Sequence, residues 1–336
     1  YLFLKSRKLF TQGDNQGVIQ LAGRVIKQDP NFADIYRLLA DTYHRLGDKN
    51  NTLRYYFEYT LLAEKKHDLK RLAAGYIEIG WFYQLEGEYP KAFDFYNRAI
   101  NLARRNKDKL NEAVALRKLA VWHIDKKEYE LALGLLTKSS EINRQRQHLY
   151  DYRYNLACDY FDIGLVFSNK DDFNAAEEFY RKSGALFEKL KLKYELSDYY
   201  FNLGELYLFE KQYQKARDCY FAGLRIDQAQ GNRLSLASDY NMIGELYMEM
   251  DSLPEAQAAL GQAVELAKQI QSQPELAAAY HNFGLLYKKL GRKNKAKEYL
   301  RLAQEIYSSI DPLGYQEVKN EILGLDKVNE PALTKP

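Results

Sequence analysis

Apolar residues recur along this chain at intervals of three, four and seven, with polar residues between them. That is the period of an amphipathic α-helix rather than of a strand. A second, longer period lies over it. A small residue, glycine or alanine, stands at Ala40, Gly80, Ala120, Gly164, Gly204, Gly244 and Gly284. The interval is 40 residues each time, except for 44 between Ala120 and Gly164. Seven residues before each stands another small residue: Ala33, Ala73, Ala113, Ala157, Ser197, Ala237 or Ala277. Four before stands a tyrosine, except at Leu116, and three after an aromatic ring, with His123 in that place once.

Each period holds two helices separated by a polar break, at which Gly47, Gly87 and Gly291 fall. Pro90 and Pro254 open second helices, where the missing N–H of proline costs nothing. Stacked antiparallel helix pairs form a solenoid, in which each pair buries its apolar face only against its neighbours. The pattern predicts units near 1–32, 33–72, 73–112, 113–156, 157–196, 197–236, 237–276 and 277–311. The first is incomplete, with Ser6 in the small-residue place. A capping helix follows over 312–325, and a flexible tail over 326–336. The extra four residues before Gly164 amount to about one helical turn, so a helix can lengthen without rotating its apolar stripe.

These positions resemble the tetratricopeptide repeat, whose unit is usually about 34 residues long. The resemblance implies a right-handed, all-α solenoid of about eight helix pairs with a C-terminal cap. The 40-residue period is similar to that of Pins-type polarity adaptors. The helix lengths and tyrosine-rich style resemble bacterial peptide-sensing regulators of the Rap and NprR kind.

Composition narrows the function by exclusion. The 336 residues carry a formal net charge of +3, too little to announce a nucleic-acid binder. Lys and Arg are in excess in the first half, Asp and Glu in the second. Two cysteines, Cys158 and Cys219, exclude a disulfide framework and a cysteine-based zinc cluster, and suit a reducing, cytoplasmic setting. No apolar run is long enough to span a bilayer. No catalytic spacing of histidine and carboxylates occurs, and no cofactor is expected; His123 reads as a core side chain. The chain begins at Tyr1 rather than Met, as expected of a fragment or a processed form.

The remaining candidates lie on the side of each first helix opposite its core stripe, the side that lines the concave groove in resembling proteins. Asn202, Asn241 and Asn282 fall there in three consecutive units, and an asparagine amide can pair with the backbone of an extended peptide. Asp162, Asp198, Glu205 and Glu245, with Phe161 and Phe201, suit a ligand bearing basic and apolar side chains. Early units offer Arg37, Arg117 and Lys118 instead. The expectation is a non-catalytic scaffold that binds a peptide or partner segment, without nucleic acid, and with self-association through end repeats open. The alternatives are a sensor module of a larger bacterial signalling protein whose effector precedes residue 1, and the substrate-recruiting arm of an enzyme.

Overall fold

The computed structural model describes residues 1–327, and the expected tail beyond Lys327 lies outside the described residues. They form seventeen helices and no strand. In chain order these are α1 Leu2–Thr11, α2 Asn15–Gln28, α3 Ala33–Arg45, α4 Lys49–Lys65, α5 Leu69–Leu85, α6 Tyr89–Arg105, α7 Lys109–Asp125, α8 Tyr129–Gln145 and α9 Tyr150–Asn169. Then come α10 Phe173–Leu190, α11 Lys193–Phe209, α12 Tyr213–Gln230, α13 Arg233–Glu249, α14 Leu253–Gln269, α15 Gln273–Lys289, α16 Lys293–Ile310 and α17 Pro312–Lys327. The capping helix thus runs two residues beyond its expected end.

The helices gather into two compact units, Tyr1–Asp172 and Phe173–Pro336. In the first, α1 packs on α2, α3 on α4, α5 on α6 and α7 on α8, each pair then meeting the next helix, up to α9. In the second, α11 packs on α12, α13 on α14 and α15 on α16, with α10 before them and α17 closing the end against α16. Consecutive first helices also touch: α5 meets α7, α7 meets α9, and α13 meets α15. Within each unit no two second helices approach as extensively, so the first helices form the inner layer.

The small residues set the spacing inside a pair. At Gly204 a methyl group would sit 2.6 Å from the Tyr220 ring, and at Gly284 it would sit 2.6 Å from Leu300. Only glycine fits a side chain that close. The rings and leucines that lie over these positions are almost fully buried, including Tyr56, Tyr96, Tyr180 and Tyr220. Val318 and Leu325 of α17 join the last cluster, covering apolar surface of α15 and α16 that would otherwise face water. The extra four residues before Gly164 are taken up partly by α9, which has 20 residues where most first helices have 17.

The connections are short and built alike. Most 17-residue helices end in a three-residue turn in which one residue is left-handed; α8 instead leads into α9 through the four residues 146–149. Glycine fills that place at Gly13, Gly47, Gly87, Gly231 and Gly291, but lysine, aspartate, histidine or glutamine fills it elsewhere, as at His67, Lys107, Lys127, Asp251 and Gln271. At Lys127 the next amide, of Glu128, donates to the His123 carbonyl at 2.9 Å, which closes the helix end in the Schellman pattern. Asp48, Asp68 and Asp108 then cap the following helix, each accepting from the third backbone amide within it. A left-handed non-glycine residue costs about 1–2 kcal/mol. Lys127→Gly, with φ already at 59°, is therefore expected to raise stability by about 0.5–1 kcal/mol in urea unfolding.

One junction carries a buried acid pair. Asp227 on α12 and Asp239 on α13 are each 3% exposed and hydrogen-bond to each other. Ser197 on α11 donates to Asp227, while Asp239 Oδ2 has no partner. Asp198 and Glu195 of α11 add further negative charge nearby. Burial, then the charge of Asp227, pushes Asp239 up to about 8. The corresponding junction between α8 and α9 shows the alternative. There Asn143 occupies the place of Asp227, and its amide donates to Asp159 at 2.7 Å. The Asp227–Asp239 pair therefore holds a proton. Because the folded pKa of Asp239 lies above its unfolded value, its contribution is complete below about pH 4 and is lost as pH rises through about 8. Asp227→Asn, which copies the Asn143 arrangement, is expected to melt several degrees above the parent at pH 9, with the difference shrinking toward pH 5.

Candidate functional site

The inner layer of the first unit carries a chain of charged side chains, one or two from each successive first helix. Arg37 of α3 donates to Glu78 of α5 at 2.7 Å. Arg117 of α7 donates to Asp162 of α9 at 3.2 Å, and both are largely buried. Lys118 of α7 lies between these pairs, with its Nζ 5.7 Å from the centre of the Trp81 ring. Burial raises Glu78 above the usual carboxylate range, opposed by Arg37; burial and then Arg117 lower Lys118. On the neighbouring turn of α3, Asp41 accepts the Tyr56 hydroxyl at 2.8 Å. Arg45 lies flat over the Phe10 ring, 3.4 Å from its centre, and donates to the Phe10 carbonyl. With His44, and without Arg117 and Asp162, these side chains line an open cleft of about 320 Å³. Arg37, Arg117 and Lys118 were all expected on this face. Phe10 and Tyr56 were not. Phe10 arrives from the incomplete first unit, and Tyr56 reaches in from a second helix through its hydroxyl.

The inner layer of the second unit is acidic. Asn202 of α11 is half-buried and donates to the carbonyl of Asp198 in its own helix at 2.9 Å. One turn on, Glu205 is exposed at the surface, yet neighbouring protein strips enough of its hydration to raise its carboxyl. Glu245 of α13 is raised by loss of water, and by Glu205 and Glu249. Asp198 is pushed up to about 6 by the same loss, reinforced by Asp227 and Glu195. Phe209 at the end of α11 is 65% exposed.

Three of the expected ligand contacts are turned to internal work. Asn282 is 7% exposed, and its amide donates to Asn241 Oδ1 at 3.1 Å and to Glu245 Oε1 at 2.5 Å. It ties α15 to α13. Asp162 is buried in its ion pair with Arg117. Phe201 is 7% exposed, not displayed to a ligand. Its ring stacks on Tyr220 with centroids 5.5 Å apart and covers Gly223, where a methyl group would come within 2.5 Å of it. The pattern placed Phe201 opposite the core stripe, but the gap left by Gly223 on the facing helix draws the ring inward. Phe161 is half-buried and engaged with neighbouring groups. His123 is a core side chain, its Nδ1 2.6 Å from Glu128 and its ring edge-on to Trp122.

Models of the tetratricopeptide repeat match residues 71–145, 160–183, 197–230 and 234–309. The chain belongs to the tetratricopeptide repeat family. Among solved structures, it is similar to the apo form of the quorum sensor NprR from B. thuringiensis. That match has 19% identity and a TM-score of 0.70, over 91% of this chain and 86% of that one. It is also similar to the Rap protein complexed with Competence and Sporulation Factor, at 12% identity and a TM-score of 0.60, over 97% of each chain. A third likeness is to the APC/C hetero-tetramer Cut9–Hcn1, at 18% identity and a TM-score of 0.64, over 96% of this chain and 55% of that one. At such identities the likeness is one of fold. No curated protein sequence matches the chain. Among the described residues, no helix is long and apolar enough to cross a membrane.

The reassignment of Phe201 can be measured. Phe201→Ala is expected to cost about 3–5 kcal/mol in denaturant unfolding, as removal of a core ring does, whereas a ring displayed for a ligand would leave stability nearly unchanged.

Proposed function

We propose that this protein is an interaction module that captures a segment of another protein along the inner layer of its first helices. The observation that carries this reading is the acidic face of α11 and α13. Among the described residues Asn202 and Glu205 form no hydrogen bond or ion pair with another helix, and Asn241 and Glu245 follow in the next repeat. The carboxyls here are raised because water is partly excluded, and among the described residues no cation is paired with them. A ligand that brings Lys or Arg would restore that balance, while the asparagine amides pair with its backbone. Asn282 enters this reading as the brace that orients Asn241 and Glu245, not as a direct contact.

A sensor role is the more specific version of the same reading. It is supported by the likeness to a protein described as a quorum sensor and to another solved with Competence and Sporulation Factor bound. In either version the chemistry of capture is the same, and the chain itself needs no reaction centre.

The test uses a fluorescently labelled library of short peptides and polarisation as the readout. Peptides carrying basic and apolar residues are expected to be selected. The double variant Asn202→Ala, Glu205→Gln is expected to weaken them at least about tenfold, the effect of losing about 1.4 kcal/mol. Its helicity and melting temperature should stay unchanged, since among the described residues neither side chain bonds to another helix. Undiminished affinity in that variant would defeat the assignment of this face.

A further inference from the structure

A second cleft of the first unit, of about 350 Å³, lies between the second helices α4 and α6 and is floored by Leu72 and Tyr76 of α5. Tyr76 stands two residues before Glu78, about 200° around the same helix, so this cleft opens away from the charged inner layer. Its walls are apolar. Phe57 and Leu61 stand one turn apart on α4, 41% and 43% exposed, outside the stripe of Tyr56, Tyr59, Leu62 and Ala63 that packs into the core. Across the cleft Phe95 of α6 meets Phe57 edge-on, with ring centroids 6.3 Å apart. The repeat does not require such a wall. The places of Phe57 and Leu61 are taken by Asn97 and Asn101 in α6 and by Gly261 and Glu265 in α14, and no other second helix puts large apolar residues in both. Large apolar side chains left in water together mark an interaction surface, where scattered single ones do not.

The rim adds a charge preference. Glu58 and Glu64 line the cleft from α4, both are exposed, and among the described residues their carboxylates form no ion pair or hydrogen bond. The guanidinium that lines the cleft, Arg98, is already matched: Asp94 pairs with it at 2.7 Å, and it lies 5.2 Å from the centre of the Phe95 ring. Arg54, one turn before Glu58, lies over the Tyr55 ring. Cations on a partner would thus meet two open carboxylates about 9 Å apart along α4. The cleft also favours one backbone conformation. The Thr60 hydroxyl donates to the Phe57 carbonyl of its own helix. An extended segment laid against the apolar walls would lose water from backbone groups that find no partner there, whereas a helix pairs its own.

We infer that this cleft docks an amphipathic helix of a partner protein, with apolar residues three and four apart seated against Phe57, Leu61 and Phe95, and with Lys or Arg along one flank facing Glu58 and Glu64. The surface is separate from the layer of first helices, and the inference does not rest on capture there.

The probe is the fluorescein-labelled, amidated peptide Ala-Ala-Lys-Leu-Ala-Ala-Leu-Leu-Ala-Lys-Leu-Ala, which as a helix puts its leucines on one face and both lysines on one flank. It is titrated, with polarisation as the readout, into the full chain carrying Asn202→Ala, Glu205→Gln, so that the acidic face of the second unit does not compete. Saturable binding is expected, and Leu61→Ser should weaken it at least about tenfold. Glu58→Lys with Glu64→Lys should weaken it as much, and should transfer preference to the same peptide with Glu in place of both lysines. A merely structural change would not produce that exchange. Circular dichroism checks helicity, which the variants should keep because all three side chains are exposed; if Leu61→Ser loses it, the charge exchange decides. Absence of saturable binding, affinity unmoved by Leu61→Ser in a folded variant, or no change of preference on charge exchange would each overturn the inference. So would dimerisation of the chain alone in sedimentation, abolished by Leu61→Ser, because the occupant would then be a second copy. Co-sedimentation with phosphatidylcholine vesicles, abolished by the same substitution, would overturn it in favour of a lipid surface.

Discussion

Everything in this structure depends on how closely the two helices of a pair can approach. At Gly80, Gly204, Gly244 and Gly284 the first helix presents bare backbone, and a ring or a leucine from the second helix lies in the space. That contact removes a large apolar side chain from water at each repeat, and burial of this kind is the main favourable term in folding. It also fixes the direction of the first helix. With one face pinned to its partner, the opposite face is displayed, and within each unit the displayed faces of successive first helices form one layer. The charged and amide side chains of that layer are positioned by a steric requirement two turns of chemistry away from them.

Much of this was legible in the sequence because it is local and repeated. The small residues, the tyrosines four before them and the polar breaks recur in register, so helix number, pairing order and the capping helix could be read from one chain. His123 was legible for the same reason, standing where other units have an aromatic ring. The turns were half legible. Glycine marks five of the left-handed positions, but Lys127 and Lys211 hold the same geometry with nothing in their identity to announce it. There the three-residue length of the connection, set by the helices on both sides, overrides residue preference.

The inner layer was less legible because its outcome depends on the facing helix rather than on the helix that carries it. Helical phase put Phe201 and Asn282 on the side expected to meet a ligand. Phe201 turned inward because Gly223, 22 residues later, leaves room for it. Asn282 was recruited by Glu245, 37 residues earlier. The acid pair of Asp227 and Asp239 was invisible for a related reason: each aspartate alone reads as ordinary polar surface, and only the stacking of α12 against α13 makes them neighbours. A period describes what units share. Their differences lie in pairs formed between one unit and the next.

The uniform connections restrict how such a chain can change in length. A residue added inside a helix turns everything beyond it by about 100°, and the small-residue stripe then faces away from its partner. A residue added to a three-residue turn displaces the left-handed position and the bonds that close the helix end. The interval of 44 residues that ends at Gly164 avoids both, adding three residues at the start of α9 and one to the connection before it, ahead of the small-residue stripe. Length change that preserves the scaffold is therefore limited to complete helix pairs or to residues ahead of the stripe, while substitution on the displayed faces leaves its metre intact.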